Sequence, residues 1–203
     1  MRALILVDLQ NDFLPGGALA VARGDETIAV ANRLAPKFGY VVATQDWHPA
    51  DHQSFAVQHE GRRPGELVEL HGLPQVLWPV HCVQGSAGAD FAPGLELDKV
   101  HAIFLKGQDP TVDSYSGFFD NGRRHDTGLA SHLRERGVSE VWVMGLATDY
   151  CVKWTALDAR DQGFEVVFVE DGSRGVELAP GDCERAIAEL KAAGVRVATS
   201  EEA

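Results

Sequence analysis

Apolar residues in this chain come in short runs, and several runs stop at a charged or reactive side chain. Arg2 to Asp8 (RALILVD) is almost continuously apolar and ends on an acid, as does Tyr40 to Asp46 (YVVATQD). His101 to Lys106 (HAIFLK) ends on a lysine, and Val141 to Leu146 runs into GLATDYC. Phe164 to Glu170 and Val195 to Thr199 add two more runs of the same kind. Apolar runs of this length suit strands buried on both faces of a parallel sheet. Helical patterns lie between them. One starts at Asp25, with Ile28, Ala31 and Leu34/Ala35 on one face and Pro36 near its end; another runs from Gly128 to Arg136. A third carries Val152, Thr155, Ala156 and Ala159 and stops at Gly163, and a fourth spans Asp182 to Ala193. Strands alternating with helices predict an α/β fold: a mostly parallel six-stranded sheet with helices on both faces, joined by right-handed crossovers. Trp47 to about Lys99 reads as irregular chain, and so long a loop inside a compact domain is usually functional.

In such sheets ligands bind beyond the carboxyl ends of the strands. Four predicted strands lead, at or just after those ends, to Asp8, Asp46, Lys106 and Cys151. Two constellations result. In the first, Cys151 is a nucleophile, Asp8 its proton acceptor, and Lys106 the group that offsets charge and orients the carboxylate. A cysteine delivered to the first turn of a helix should have a lowered pKa, and the free amides there suit an oxyanion. The bland alternatives are a buried ion pair fastening strand ends and an inert core cysteine. In the second, Asp46 and His48 are two residues apart in an extended segment and so face one way, with His52, Ser54 and His81 following. A carboxylate and imidazoles suit Zn²⁺, Fe²⁺ or Mn²⁺. Cys82, next to His81, should point away if that segment is extended.

Composition narrows the setting. The 203 residues fit one domain, 1–203, and 45% hydrophobic with 24% charged residues is a globular composition. The net charge of −12 without a basic run argues against nucleic-acid or anionic-membrane partners. Three cysteines, Cys82, Cys151 and Cys183, without CxxC spacing suggest reduced thiols, hence a cytoplasmic protein. No signal-peptide pattern or membrane span is predicted. A homo-oligomer stays open.

The motifs VDLQNDFLPGGAL, TQDWHPADHQSF, LWPVHCVQGSAGADF, LKGQDPTVDSYSGFFDN, GLATDYCV and EDGSRGV resemble those of nicotinamidases, along nearly the whole chain. These pyridine-carboxamide amidohydrolases have the isochorismatase-like hydrolase fold, a Rossmann-like three-layer architecture. The resemblance implies conversion of nicotinamide to nicotinate and ammonia in NAD salvage, with pyrazinamide also accepted, through a Cys151 thioester. It implies that Asp8 is the general acid/base, Lys106 its partner and Cys151 the nucleophile, with a cis Leu146–Ala147 peptide aiming the amides of Ala147 and Cys151 into an oxyanion hole. It further implies one divalent ion, zinc first, on Asp46, His48 and His81. Ser54 falls at a variable further ligand position, with His52 as competitor. Phe13, Trp78 and Tyr115 match the aromatic positions that sandwich the ring. An isochorismatase would not need the cysteine turn, and an N-carbamoylsarcosine amidase would not need the Asp46/His48/His81 set. Two other classes, a ligand-binding protein without catalysis and a thiol redox protein, explain fewer of these residues.

Overall fold

In the computed structural model, which describes residues 1–203, strand β1 (Arg2–Val7) is buried from Ala3 onward. Ala3, Ile5 and Val7 enter one core and Leu4 and Leu6 the other, as side chains on a pleated strand must. β2 (Tyr40–Asp46) and β5 (Ala102–Lys106) lie on one side of it, in the order β5–β2–β1. β6 (Glu140–Leu146), β7 (Glu165–Arg174) and β8 (Arg196–Ala198) follow on the other side. Every pairing in this six-stranded sheet is parallel, so the sheet is wholly rather than mostly parallel.

Helix α1 (Glu26–Leu34) packs Val30, Ala31 and Leu34 against one face, together with Leu4, Leu6, Trp142 and Met144. α2 (Leu129–Glu135), α3 (Lys153–Asp161) and α4 (Asp182–Ala192) cover the other through Leu129, Leu133, Ala156, Ala159 and Leu190. This distribution follows from topology. The β1-to-β2 connection moves one way along the sheet, while those from β5 to β6, β7 and β8 move the other, and right-handed crossovers put the two sets on opposite faces. The direction reverses between neighbours β1 and β6, which opens a crevice at their carboxyl ends. No helix is long and apolar enough to cross a membrane.

Three elements depart from the sequence reading. The Trp47–Lys99 segment contains an antiparallel hairpin, β3 (Leu67–Leu70) and β4 (Leu73–Val76), turned by His71 and Gly72 at φ of 51° and 83°. Two positive φ values in a two-residue loop are what a type I′ hairpin needs. β7 runs past Glu170 to Arg174, with a register shift opposite Val143/Gly145. Gly145 is required there, because a Cβ at its φ of 128° would overlap the Val7 carbonyl of β1. Finally, α3 is preceded by a π-helical turn, Thr148–Val152, in which the Val152 N–H donates to the Ala147 carbonyl (3.0 Å).

Candidate active site

Asp8 leaves β1 with φ of 50° and is fully buried. Its Oδ1 accepts a hydrogen bond from Thr44 Oγ1 (2.6 Å) on β2, and its Oδ2 lies 2.8 Å from Lys106 Nζ. Apart from that ammonium, no donor faces the second oxygen. Lys106 ends β5 in register with Asp46 at the end of β2. Its ammonium group donates to Asp46 Oδ1 (2.5 Å) and the Ser114 carbonyl (2.9 Å), and lies 3.4 Å from Cys151 Sγ. Cys151 sits in the π-helical turn after β6. One ligand atom from each of Asp8, Asp46 and Cys151 falls within 4.8 Å of the others, so the acid, base and thiol do converge at the switch point.

Burial decides the charges here. It raises the Asp8 carboxyl to about 6 against the opposing pull of Lys106. Burial alone would lower the Lys106 pKa, but the Asp46 and Asp8 carboxylates hold it well above its usual value. The Cys151 thiol goes the opposite way from the sequence expectation. Burial first, then the Asp8 and Asp46 carboxylates, push it well above the usual thiol range, against the pull of Lys106. Burial of the sulfur, together with two carboxylates brought in from other strands, outweighs the pull of the local amides. The thiol therefore needs a base to give up its proton.

Asp46, His48 and His81 form a second buried group with ligand atoms within 4.8 Å of one another. His48 Nδ1 donates to the Gly107 carbonyl (2.9 Å) and His81 Nδ1 donates to the Pro79 carbonyl (2.8 Å). A carbonyl can only accept, so in the neutral imidazoles the proton sits on Nδ1 and each Nε2 lone pair is free. Those atoms lie 3.6 and 3.9 Å from Asp46 Oδ2. Three acceptors thus face one another, each imidazole held from behind, which is how metal-binding histidines are oriented. Gly107 belongs to this arrangement, since a Cβ at its φ of 68° would run into the His48 ring. Burial would lower the His48 pKa, but Asp46 raises it overall, whereas burial and His48 take His81 down to about 4. Asp46 stays far below the carboxylate range because Lys106 and His48 overcome its burial. Ser54 is buried nearby, with its hydroxyl 2.8 Å from His52 Nδ1, which also accepts from the Ser54 N–H (3.2 Å). Cys82 is buried in the core, but its φ of 46° shows that the segment is not extended, so the alternation expected to turn it away does not apply there.

A narrow pocket opens over the thiol. Phe13, Trp78, Tyr115, Asp46, His81, Ala147 and Cys151 all line it, so the predicted aromatics meet the predicted chemistry in one place. The Leu146–Ala147 peptide is cis, as the resemblance implied. Asp8, Lys106, His48 and Ser54 do not line the pocket. Tyr150 was missed, although it adjoins Cys151. Its ring meets Trp78 edge to face (4.8 Å, 86°) and lies 5.4 Å from Tyr115. Asp113 was also missed; it lines the pocket and accepts from Gln75 Nε2 (2.9 Å) on β4. Val176 joins the wall because Asp149 accepts the N–H groups of Val176 (2.9 Å) and Glu177 (2.8 Å), which ties the EDGSRGV motif to the cysteine turn. A larger polar cleft of about 510 Å³ lies beyond β5, lined by residues such as Gln108, Asp109, His125 and Thr127, and contains no cysteine.

This arrangement has close counterparts. An isochorismatase domain model matches residues 2–202. The nicotinamidase of Escherichia coli (strain K12) is 54% identical over 202 residues, covering 98% of this chain and 94% of the relative. A solved structure of an Acinetobacter baumanii nicotinamidase/pyrazinamidase has a TM-score of 0.96 and 46% identity over 99% of this chain and 97% of the other. The pyrazinamidase of Pyrococcus horikoshii, solved in complex with zinc, has a TM-score of 0.78 and 40% identity, covering 98% of each chain. With its buried thiol, carboxylate and lysine at the β1/β6 switch point, the chain belongs to the isochorismatase-domain family, in its nicotinamidase/pyrazinamidase group of amidohydrolases.

Proposed function

We propose that this chain hydrolyses nicotinamide to nicotinate and ammonia, and pyrazinamide likewise, through a thioester on Cys151. The carrying observation is the meeting of Cys151, Asp8 and Lys106 beneath an aromatic slot that has Asp46 and His81 in its wall. The names of its relatives support the same substrates. Phe13, Trp78, Tyr115 and Tyr150 receive the flat ring. Asp8, ionised, takes the thiol proton as sulfur adds to the amide carbon. The developing oxyanion is held by the N–H groups of Ala147 and Cys151. Asp8 returns the proton to nitrogen, the C–N bond breaks and ammonia leaves. Asp8 then takes a proton from water as that water attacks the thioester, and nicotinate departs from the regenerated thiol. Lys106 keeps Asp8 ionisable in a buried place and holds the thiolate once it forms.

The fixed lone pairs of His48 and His81 beside the Asp46 carboxylate fit a divalent ion, which these three residues would hold. Zinc suits the donor set and is supported by the Pyrococcus horikoshii complex; Fe²⁺ and Mn²⁺ suit it chemically. When bound, the ion supplies an orienting contact for the ring nitrogen, which fixes the carboxamide over the thiol. Ser54, whose hydroxyl lies 2.8 Å from His52 Nδ1, would contribute to that ion through water. The test is acid quenching during turnover of nicotinamide, followed by intact-mass and peptide analysis. A nicotinoyl group on Cys151 is expected in the wild type. Turnover without any such adduct, or an adduct formed equally by Cys151→Ala, would sink the thioester route.

A further inference from the structure

β1 and β2 part at their carboxyl ends. The last paired residues are Val7 and Thr44, and the Asp8 N–H still reaches the Thr44 carbonyl at 3.3 Å. There β1 turns away, because Asp8 adopts a left-handed conformation that few residue types outside glycine enter readily. Asp46, two residues further along β2, has no β1 backbone beside it. On the other edge β5 continues, and the Trp47 N–H donates to the Lys106 carbonyl (2.9 Å). Adjacent peptide groups on a strand point to opposite sides, so the Asp46 peptide groups face the place that β1 has left.

The side chain of Gln10 fills that place. Its Oε1 accepts the Asp46 N–H (2.8 Å), and its Nε2 donates to the Asp46 carbonyl (2.8 Å) and to the Ala89 carbonyl (2.8 Å). Gln10 is wholly buried. One carboxamide thus acts as an additional peptide unit of the ladder at the point where the strand itself departs. The departure lets Asp8 turn toward the thiol; the carboxamide keeps Asp46 in register although its neighbour has gone.

We infer that Gln10 is a positioning residue, acting through Asp46 on both constellations at once. Held at that register, Asp46 offers Oδ1 to Lys106 and Oδ2 to His48 and His81. The inference rests on the proposed metal-dependent hydrolysis for its functional consequence. Gln45 supplies the control, because its Nε2 bonds the same Ala89 carbonyl (2.8 Å) without touching the Asp46 peptide.

The experiment compares full-length wild type, Gln10→Ala, Gln10→Glu and Gln45→Ala. Zinc affinity is read by competition with a chromophoric chelator, and kcat and KM for nicotinamide at saturating zinc. Gln10→Ala should bind zinc about 10–100-fold more weakly, the usual cost of losing an outer support of a metal ligand. Its kcat should fall at least about tenfold, while Gln45→Ala changes both by less than about twofold. Gln10→Glu keeps the acceptor for the Asp46 N–H and loses the donor, so it should also bind zinc less well than wild type. It carries the test should Gln10→Ala not fold. Equal losses in Gln10→Ala and Gln45→Ala would reduce Gln10 to an anchor for the Ala89 loop and overturn the inference. Unchanged zinc affinity and kcat in Gln10→Ala or Gln10→Glu would overturn it too. If the wild type takes up no zinc, the metal reading fails separately, and the kcat comparison alone decides Gln10.

Discussion

Lys106→Met removes one ammonium group and leaves a side chain of similar length. In the native protein that ammonium, fully shielded from solvent, stands between the carboxylates of Asp8 (2.8 Å) and Asp46 (2.5 Å). Without it two buried carboxylates remain with oxygens inside 4.8 Å. At an effective dielectric constant near 20, unit charges at that separation repel by about 3.5 kcal/mol. Breaking a buried pair by removing one partner costs about 3–5 kcal/mol in general, so the two figures agree. In a chain of this size that loss lowers Tm by roughly 6–20 °C. The sign with pH follows from the carboxylates. Asp8 already has a folded pKa near 6, above its ordinary 3.8, and losing Lys106 raises it further. A carboxylate whose folded pKa exceeds its unfolded value costs stability when ionised, so the Asp8 part of the penalty is small at pH 5, where Asp8 is protonated in both folded proteins, and grows as pH rises above about 6. Thermal melts of metal-stripped wild type and Lys106→Met at pH 5 and pH 8 provide the assay. A drop under about 3 °C at pH 8, or a larger drop at pH 5 than at pH 8, would refute the reasoning.

Other consequences are equally direct. In the proposed mechanism Asp8 acts in its base form, so kcat/KM should fall about tenfold per pH unit below about pH 6; Asp8→Asn should remove that limb and cost about 10²–10⁴ in rate. Thr44→Val deletes the hydroxyl donor to Asp8 Oδ1, and because that bond favours the ionised form, the acid limb should move up by about 1–2 pH units; a limb that stays or moves down contradicts the assignment. Trp78→Ala and Tyr150→Ala open the aromatic slot and should raise KM about tenfold while changing kcat less, measured by steady-state kinetics on nicotinamide; a kcat loss with unchanged KM would remove both rings from substrate binding.

Much of this was legible because three sheet strands, β1, β2 and β5, are apolar runs that lead directly to a charged site residue. Asp8, Asp46 and Lys106 sit at or just beyond strand ends, and parallel topology brings strand ends together without any knowledge of side-chain packing. What stayed hidden depends on partners far away in sequence. The β3–β4 hairpin lacks an apolar run, carries Pro74 within a strand and leaves half its residues exposed, so its pattern is that of a loop. The acidity of Cys151 was hidden because the burial that opposes its ionisation, and the carboxylates that add to it from β1 and β2, arise only in the folded sheet. Gln10 carries no local signal; its role exists only because Asp8 turns away from β2 and leaves the Asp46 peptide exposed. Tyr150 was readable from its place beside the thiol, but its contacts with Trp78 and Tyr115 exist only once the distant loop folds over the cysteine turn.

In the proposed mechanism one thiol, one buried carboxylate–lysine pair and one cation site act together on a pyridine carboxamide. Ammonia release from nicotinamide by wild type, Cys151→Ala, and wild type stripped of metal and then reloaded with zinc tests it most directly. Wild type is expected to turn over, Cys151→Ala is not, and activity should be lost on stripping and recovered on reloading. Turnover that survives complete metal removal, verified by elemental analysis, would contradict the role given to Asp46, His48 and His81, and an inactive zinc-loaded wild type would contradict the substrate itself.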